Sequence, residues 1–283
     1  MKRIKITHKT AYFYRTPVVF GAHRALVRPR EGHWVHIESA LFEVNPTPNT
    51  RWIHDIYGNS IALMTFIEPS QELSVFSEIV VAHYLENPLD FLIDPIALSY
   101  PFQYSTDEQI ELIPYRLASY PRDGAALRQW LSGLYTAGQL INTFELLNGL
   151  NTRIHESFRY VPRDEHGVQS PAQTIMLGTG SCRDYAVMLM EAVRHWGFGA
   201  RFVTGYIQME EGQHGATHAW TEIYIPGAGW RGFDPTNNCF TGWDHVAVAV
   251  ARDPEKASPL SGVWEGPAGA FDRMEVSVQV VEV

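Results

Sequence analysis

Cys182 follows the turn Gly178-Thr179-Gly180-Ser181 and opens an amphipathic run in which Ala186, Leu189, Met190 and Val193 share one helical face. A cysteine placed there sits at a helix N-terminus. The unpaired N–H groups and the positive end of the helix dipole favour its thiolate, and donors of the same kind can hold an oxyanion. A cysteine taken alone is as readily a small apolar filler, so partners decide the matter. His218 begins the alternating segment HAWTEIYI, and Asp234 ends WRGFDP after the tight connection Pro226-Gly227-Ala228-Gly229. Antiparallel pairing sets the start of one strand beside the end of the next, so His218 is expected next to Asp234. Together the three residues supply a nucleophile, a base that takes its proton, and a carboxylate that fixes the imidazole tautomer.

The elements that must position this triad follow from periodicity. From Lys2 to about Tyr84 the chain alternates in short runs separated by Pro, Gly and Asn, which predicts an antiparallel β-sandwich-like domain with a hairpin turn at Tyr57-Gly58-Asn59-Ser60. Recurrent prolines between Asn87 and Arg122 predict an ordered surface connector rather than a helix. Helical spacing returns at 125–136 and again at 143–158, where Asn142 or Thr143 is the cap. The stretch 158–180 reads as a loop delivering the chain to Cys182. The helix after Cys182 should end at Gly197, followed by the strand RFVTGYIQM, a polar turn at 210–217, and the His218/Asp234 hairpin. MEVSVQVVEV adds a terminal strand. The fold class is therefore α+β, with a β-rich domain over 1–110 and a catalytic domain over 111–283.

Other candidates are weaker. His8, His23, His33, His36, His54 and His83 show no repeating ligand spacing and read as core or solvated histidines. His214 and His218 are four apart, a zinc spacing on a helix, but they flank a glycine-containing turn entering a strand, so no metal is assigned. Gln169 and Gln173 have the chemistry of oxyanion donors, yet loop polarity accounts for them. Arg183 and Asp184 read as a local ion pair, Cys239 as structural, and Trp220 and Trp230 as hairpin packing or walls of an acyl site.

The 283 residues carry a net charge of −9 with no run of Lys or Arg, which argues against nucleic acid or an anionic membrane as partner. The N-terminus lacks the apolar core of an export signal, and no apolar span of about 18 residues occurs. Two cysteines fit a reducing compartment, so cytoplasm is expected.

The segments GSCRDYA (180–186), ARFVTGY (200–206), HAWTE (218–222) and GWRGFDPTN (229–237), in this order, resemble the transglutaminase-like superfamily within the papain-like thiol enzymes. The preceding β-rich part resembles the N-terminal region of its bacterial members. The resemblance implies Cys182 as nucleophile, His218 as base and Asp234 as orienting carboxylate, with no cofactor. It implies an acyl-thioester enzyme acting on a peptide or protein substrate: foremost a cysteine protease, alternatively a protein-glutamine transglutaminase or deamidase. Competing classes are a non-enzymatic peptide-binding or assembly module and a zinc hydrolase.

Overall fold

Alternating burial along the first 83 residues produces five strands: β1 (Lys2–Ala25), β2 (Val35–Asn45), β3 (Asn49–His54), β4 (Ser60–Thr65) and β5 (Ser70–His83). The computed structural model describes residues 1–163, 166–208 and 217–283. Most of the polar turn expected at 210–217, His214 included, lies outside them.

After β5 come β6 (Ser99–Tyr100), α1 (Thr106–Glu111), α2 (Ile113–Arg116), α3 (Gly124–Leu131), β7 (Ile141–Asn142), α4 (Thr143–Ser157), β8 (Arg159–Tyr160), α5 (Pro171–Leu177), β9 (Thr179–Gly180) and α6 (Cys182–His195). The chain ends with β10 (Ala200–Ile207), β11 (His218–Ile225), β12 (Gly229–Asp234), β13 (Cys239–Phe240), β14 (His245–Ala251), β15 (Leu260–Glu265) and β16 (Phe271–Glu282).

The expected β-sandwich is built around β1, which serves two layers. Its first half pairs with β5 and β16, its second half with β4 and β15. Tyr14, Phe20, Leu73 and Trp264 fill the space between the layers, and the Phe42 and Trp52 rings meet edge to face at 5.3 Å. Strands β15 and β16, which lie within the stretch 111–283 expected as the catalytic domain, pair with β1 of the N-terminal sheets. Period-two alternation identifies a strand but not its partner, and here the edge of β1 takes both.

Two further differences concern helices. The proline-rich connector contains α1 and α2, the first started by Ser105, whose hydroxyl accepts from the Glu108 N–H. The presumed loop before Cys182 contains α5, with Ser170 accepting from the Gln173 N–H and Pro171 at the first helical position. That Ser-Pro-x-Gln start was legible in the sequence.

The second sheet is antiparallel throughout, in the order β13-β12-β11-β10-β14. α6 lies across β10 and β11: Ala186, Leu189, Met190 and Val193 are fully buried with Phe202, Ala219, Ile223 and Ile225, and the Thr221 hydroxyl donates to the Ala186 carbonyl at 2.7 Å. One core joins this sheet to the N-terminal layers through Ile4, Ile6, Val278 and Val280. Polar contacts fix the register of the two parts. The Asn59 amide donates to the Val250 carbonyl at 2.7 Å and accepts from the Val250 N–H at 2.9 Å.

His8 bonds the Tyr206 hydroxyl at 2.8 Å across the same interface. Burial lowers its pKa from 6.5 to about 4, so as pH falls the unfolded chain takes up a proton before the folded one does. Stability from neutral His8 is whole above pH 6.5 and is lost towards pH 4, about 3 kcal/mol in all. His8→Gln should therefore lose less stability than wild type between pH 7 and pH 4 in urea denaturation. Equal losses would show that His8 does not contribute.

Candidate active site

The turn before Cys182 is held by a buried carboxylate. Asp184, in the first turn of α6, accepts from the Ser181 N–H and hydroxyl, both at 2.8 Å, from the Gln169 N–H at 2.6 Å, and from Arg163 Nη1 at 2.8 and 2.9 Å. The expected Arg183–Asp184 pair is thus replaced by Arg163–Asp184, while Arg183 Nη2 donates to the Arg163 carbonyl. Spacing along a helix could not foresee a partner 21 residues upstream. Gly180 is required by close approach, since a Cβ there would stand 3.0 Å from the Asp184 side chain and 3.2 Å from the Tyr185 ring. The side-chain oxygens of Gln169 and Gln173 accept from the Thr174 hydroxyl and from the Ser170 N–H.

Cys182 occupies the first position of α6 and is 8 % exposed, matching His218 at 8 %, with Asp234 wholly buried. The β11–β12 hairpin pairs Thr221 with Phe233 and brings His218 Nε2 to 2.7 Å from Asp234 Oδ2. With Nε2 committed to Asp234, Nδ1 is the ring nitrogen left for Cys182. Burial pulls the His218 pKa down, but the Asp234 charge and hydrogen bond, reinforced by Cys182, overcome it and raise it to about 10. Burial pushes the Asp234 pKa up, and its charged hydrogen-bond partners His218 and His245 hold it well below the usual carboxylate range instead. The three sequence-predicted residues are therefore brought together.

Several neighbours carried no sequence signal. Asp234 Oδ2 also accepts from Asn237 Nδ2 at 2.7 Å and faces His245 Nε2 at 3.1 Å. Asp234 Oδ1 accepts the Thr236 N–H at 2.9 Å, an Asx turn that stops β12 and fixes the carboxylate. Parallel pairing of β8 with β9 sets Tyr160 opposite Gly180. Its phenol is half-exposed; burial first, then the Cys182 sulfur, pushes its pKa up to about 12. Trp220 is buried with its ring edge-on to His245 at 5.3 Å, whereas Trp230 lies under Arg201 and beside Tyr115, away from the triad. Cys239 is a free thiol beside His245.

Among the described residues His218, Asp234 and His245 present possible ligand atoms within 4.8 Å of one another. Those atoms are already joined by hydrogen bonds, and His245 directs each nitrogen at a carboxylate, which uses protons rather than the lone pairs a metal needs. The six N-terminal histidines divide as expected into buried (His8, His23, His83) and exposed (His33, His36, His54). A cavity of about 270 Å³ lined by Tyr100, Tyr104, Arg116 and Trp196 lies at the other end of α6, roughly 20 Å along the helix from Cys182. No described helix is long and apolar enough to cross a membrane.

Residues 135–235 match the family described as the transglutaminase-like superfamily, and residues 4–82 match the bacterial transglutaminase-like N-terminal region. The chain belongs to the transglutaminase-like superfamily. A transglutaminase-like core with mixed helices and an antiparallel sheet, preceded by a β-rich region, is also the fold of a candidate cysteine protease from Cytophaga hutchinsonii. That structure superposes with a TM-score of 0.74 at 19 % identity over 100 % of this chain and 91 % of the other. Among sequence relatives, the uncharacterized protein Rv2569c of Mycobacterium tuberculosis is 24 % identical over 281 residues, 92 % of this chain and 87 % of the relative. The uncharacterized protein ML0607 of Mycobacterium leprae is 23 % identical over the full length of both chains. The superfamily matches agree with a cysteine protease or acyltransferase type of enzyme.

In this transglutaminase-like core the Asp184 carboxylate is a buried ionic anchor whose removal takes the acceptor from the Ser181 N–H and hydroxyl and from the Gln169 N–H. Asp184→Ala should cost about 3 kcal/mol or more in urea denaturation, and Asp184→Asn, which still accepts a hydrogen bond, should cost less. Equal and small losses would mean that the turn is held by backbone packing alone.

Proposed function

We propose that the protein is a thiol-dependent amide hydrolase, a cysteine peptidase acting on a peptide or protein substrate through Cys182, His218 and Asp234. The 2.7 Å contact of His218 with Asp234, beside a cysteine at the start of α6, carries this reading. The Cys182 thiolate attacks the substrate carbonyl, and the oxyanion is held by N–H groups of the first turn of α6. The His218 imidazolium gives its proton to the departing amine as the thioester forms. Water then attacks the thioester with His218 as base, which releases the acid and restores the thiolate. The name of the Cytophaga neighbour agrees with this chemistry, although that similarity speaks for the fold alone. Transamidation and deamidation share the thioester: in the first an amine rather than water resolves it, and in the second the group released on its formation is ammonia from a carboxamide.

The test is alkylation of Cys182 as a function of pH, read by mass spectrometry with Cys239 as internal control. An unassisted thiol has a pKa of about 8.5. Labelling of Cys182 should persist well below that value, be lost in His218→Ala, and weaken in Asp234→Asn. In a peptide-substrate screen, Cys182→Ala should abolish turnover. Release of acid should outpace incorporation of an added primary amine. Amine incorporation outpacing acid release would replace hydrolysis by transamidation, and labelling of Cys182 no faster than Cys239 would refute the enzyme reading.

A further inference from the structure

His245, the first residue of β14, is buried between two carboxylates. Its Nε2 lies 3.1 Å from Asp234 Oδ2 and its Nδ1 lies 2.6 Å from Asp244 Oδ1. A neutral imidazole carries one N–H, so whichever carboxylate it did not serve would face a ring lone pair. Asp234 is also the residue that His218 uses. We infer that His245 is a resident imidazolium that positions Asp234 and divides its negative charge between two histidine rings. This inference rests on the proposed Cys182–His218–Asp234 chemistry and adds a positioning residue to it.

The surroundings favour the charged ring. Burial opposes it, but Asp234 from β12 and Asp244 from the turn before β14 both raise the His245 pKa well above its ordinary value, and Cys239 of β13 adds to the rise. His218 of β11 is the nearest competing cation, with ring centroids 6.2 Å apart. From β5, His83 also faces this cluster, and burial lowers its pKa first of all. The Trp220 ring closes the remaining side at an interplanar angle of 83°. Asp234 and His245 are thus matched inside the protein, while the Asp244 side chain, 35 % exposed, also keeps solvent contact.

The consequence for the reaction has a definite sign. A second cation on Asp234 weakens that carboxylate's hold on the His218 proton and stabilises the nearby thiolate. His245→Gln keeps a donor toward Asp234 but removes the charge. Both limbs of the Cys182 alkylation profile should then move to higher pH, by on the order of one unit. A neutral filler would change the amplitude and leave the profile in place, so an unshifted profile would overturn the inference.

Nitrogen-resolved NMR of the histidine rings in the full-length protein tests the charge without reference to reactivity. The His245 ring should show two protonated nitrogens from pH 6 to 8. Asp244→Asn should bring its proton loss to lower pH, which also assigns the signals if His245→Gln does not fold. A single protonated nitrogen at pH 7 would overturn the inference. Failure of the enzyme reading looks different: wild-type Cys182 would show no His218-dependent labelling, whatever the protonation of His245.

Discussion

A carboxylate sealed from water must be matched by donors, and Asp234 is the group for which the second sheet has to provide them. His218 comes from β11, His245 from β14, and Asn237 with the Thr236 N–H from the turn that ends β12. The order β13-β12-β11-β10-β14 puts β14 at the edge beyond β10, so the start of β14 must reach back past two strands to Asp234. The antiparallel register allows this because His245 pairs with Ile207 near the end of β10, close to where Gly205 pairs with His218. The sheet thereby converges several polar side chains on one oxygen atom.

A second buried carboxylate, Asp184, does for the turn before Cys182 what Asp234 does for the His218 imidazole. It gathers donors from Arg163, Gln169 and Ser181 and so fixes the turn from which α6 emerges. The apolar face of α6 is pinned on β10 and β11, and the Thr221–Ala186 hydrogen bond sets its position along the sheet. Cys182 meets His218 because one rigid helix and one rigid hairpin share a core, and each has its polar end clamped by an ionised side chain.

The N-terminal layers are not an appendage to this arrangement. β1 pairs with strands from both ends of the chain, and its buried residues pack into the same core as Tyr206 and Val246. Asn59 continues the hydrogen bonding of Val250 across the junction. The second sheet and the N-terminal layers therefore share one core, and buried His8 and Tyr206 pair where the two parts meet.

The sequence by itself determined where Cys182, His218 and Asp234 stand, because each occupies a position defined by local pattern: a helix start, a strand start and a strand end. It also determined the strands of the N-terminal region, the Asn142-capped α4 and the end of α6 before Gly197. α5 was written there as well, in the Ser170 to Gln173 start and in Gly178 after its end. Only the tertiary structure decided that Arg163 serves Asp184, that Tyr160 lies beside Cys182, that His245 shares Asp234, and that residues 260–282 belong with β1. The physical reason is the range of the signal. Periodicity, caps and turns are encoded within a few residues, whereas the partner of a buried charge or an open strand edge is chosen by packing among segments far apart in the chain.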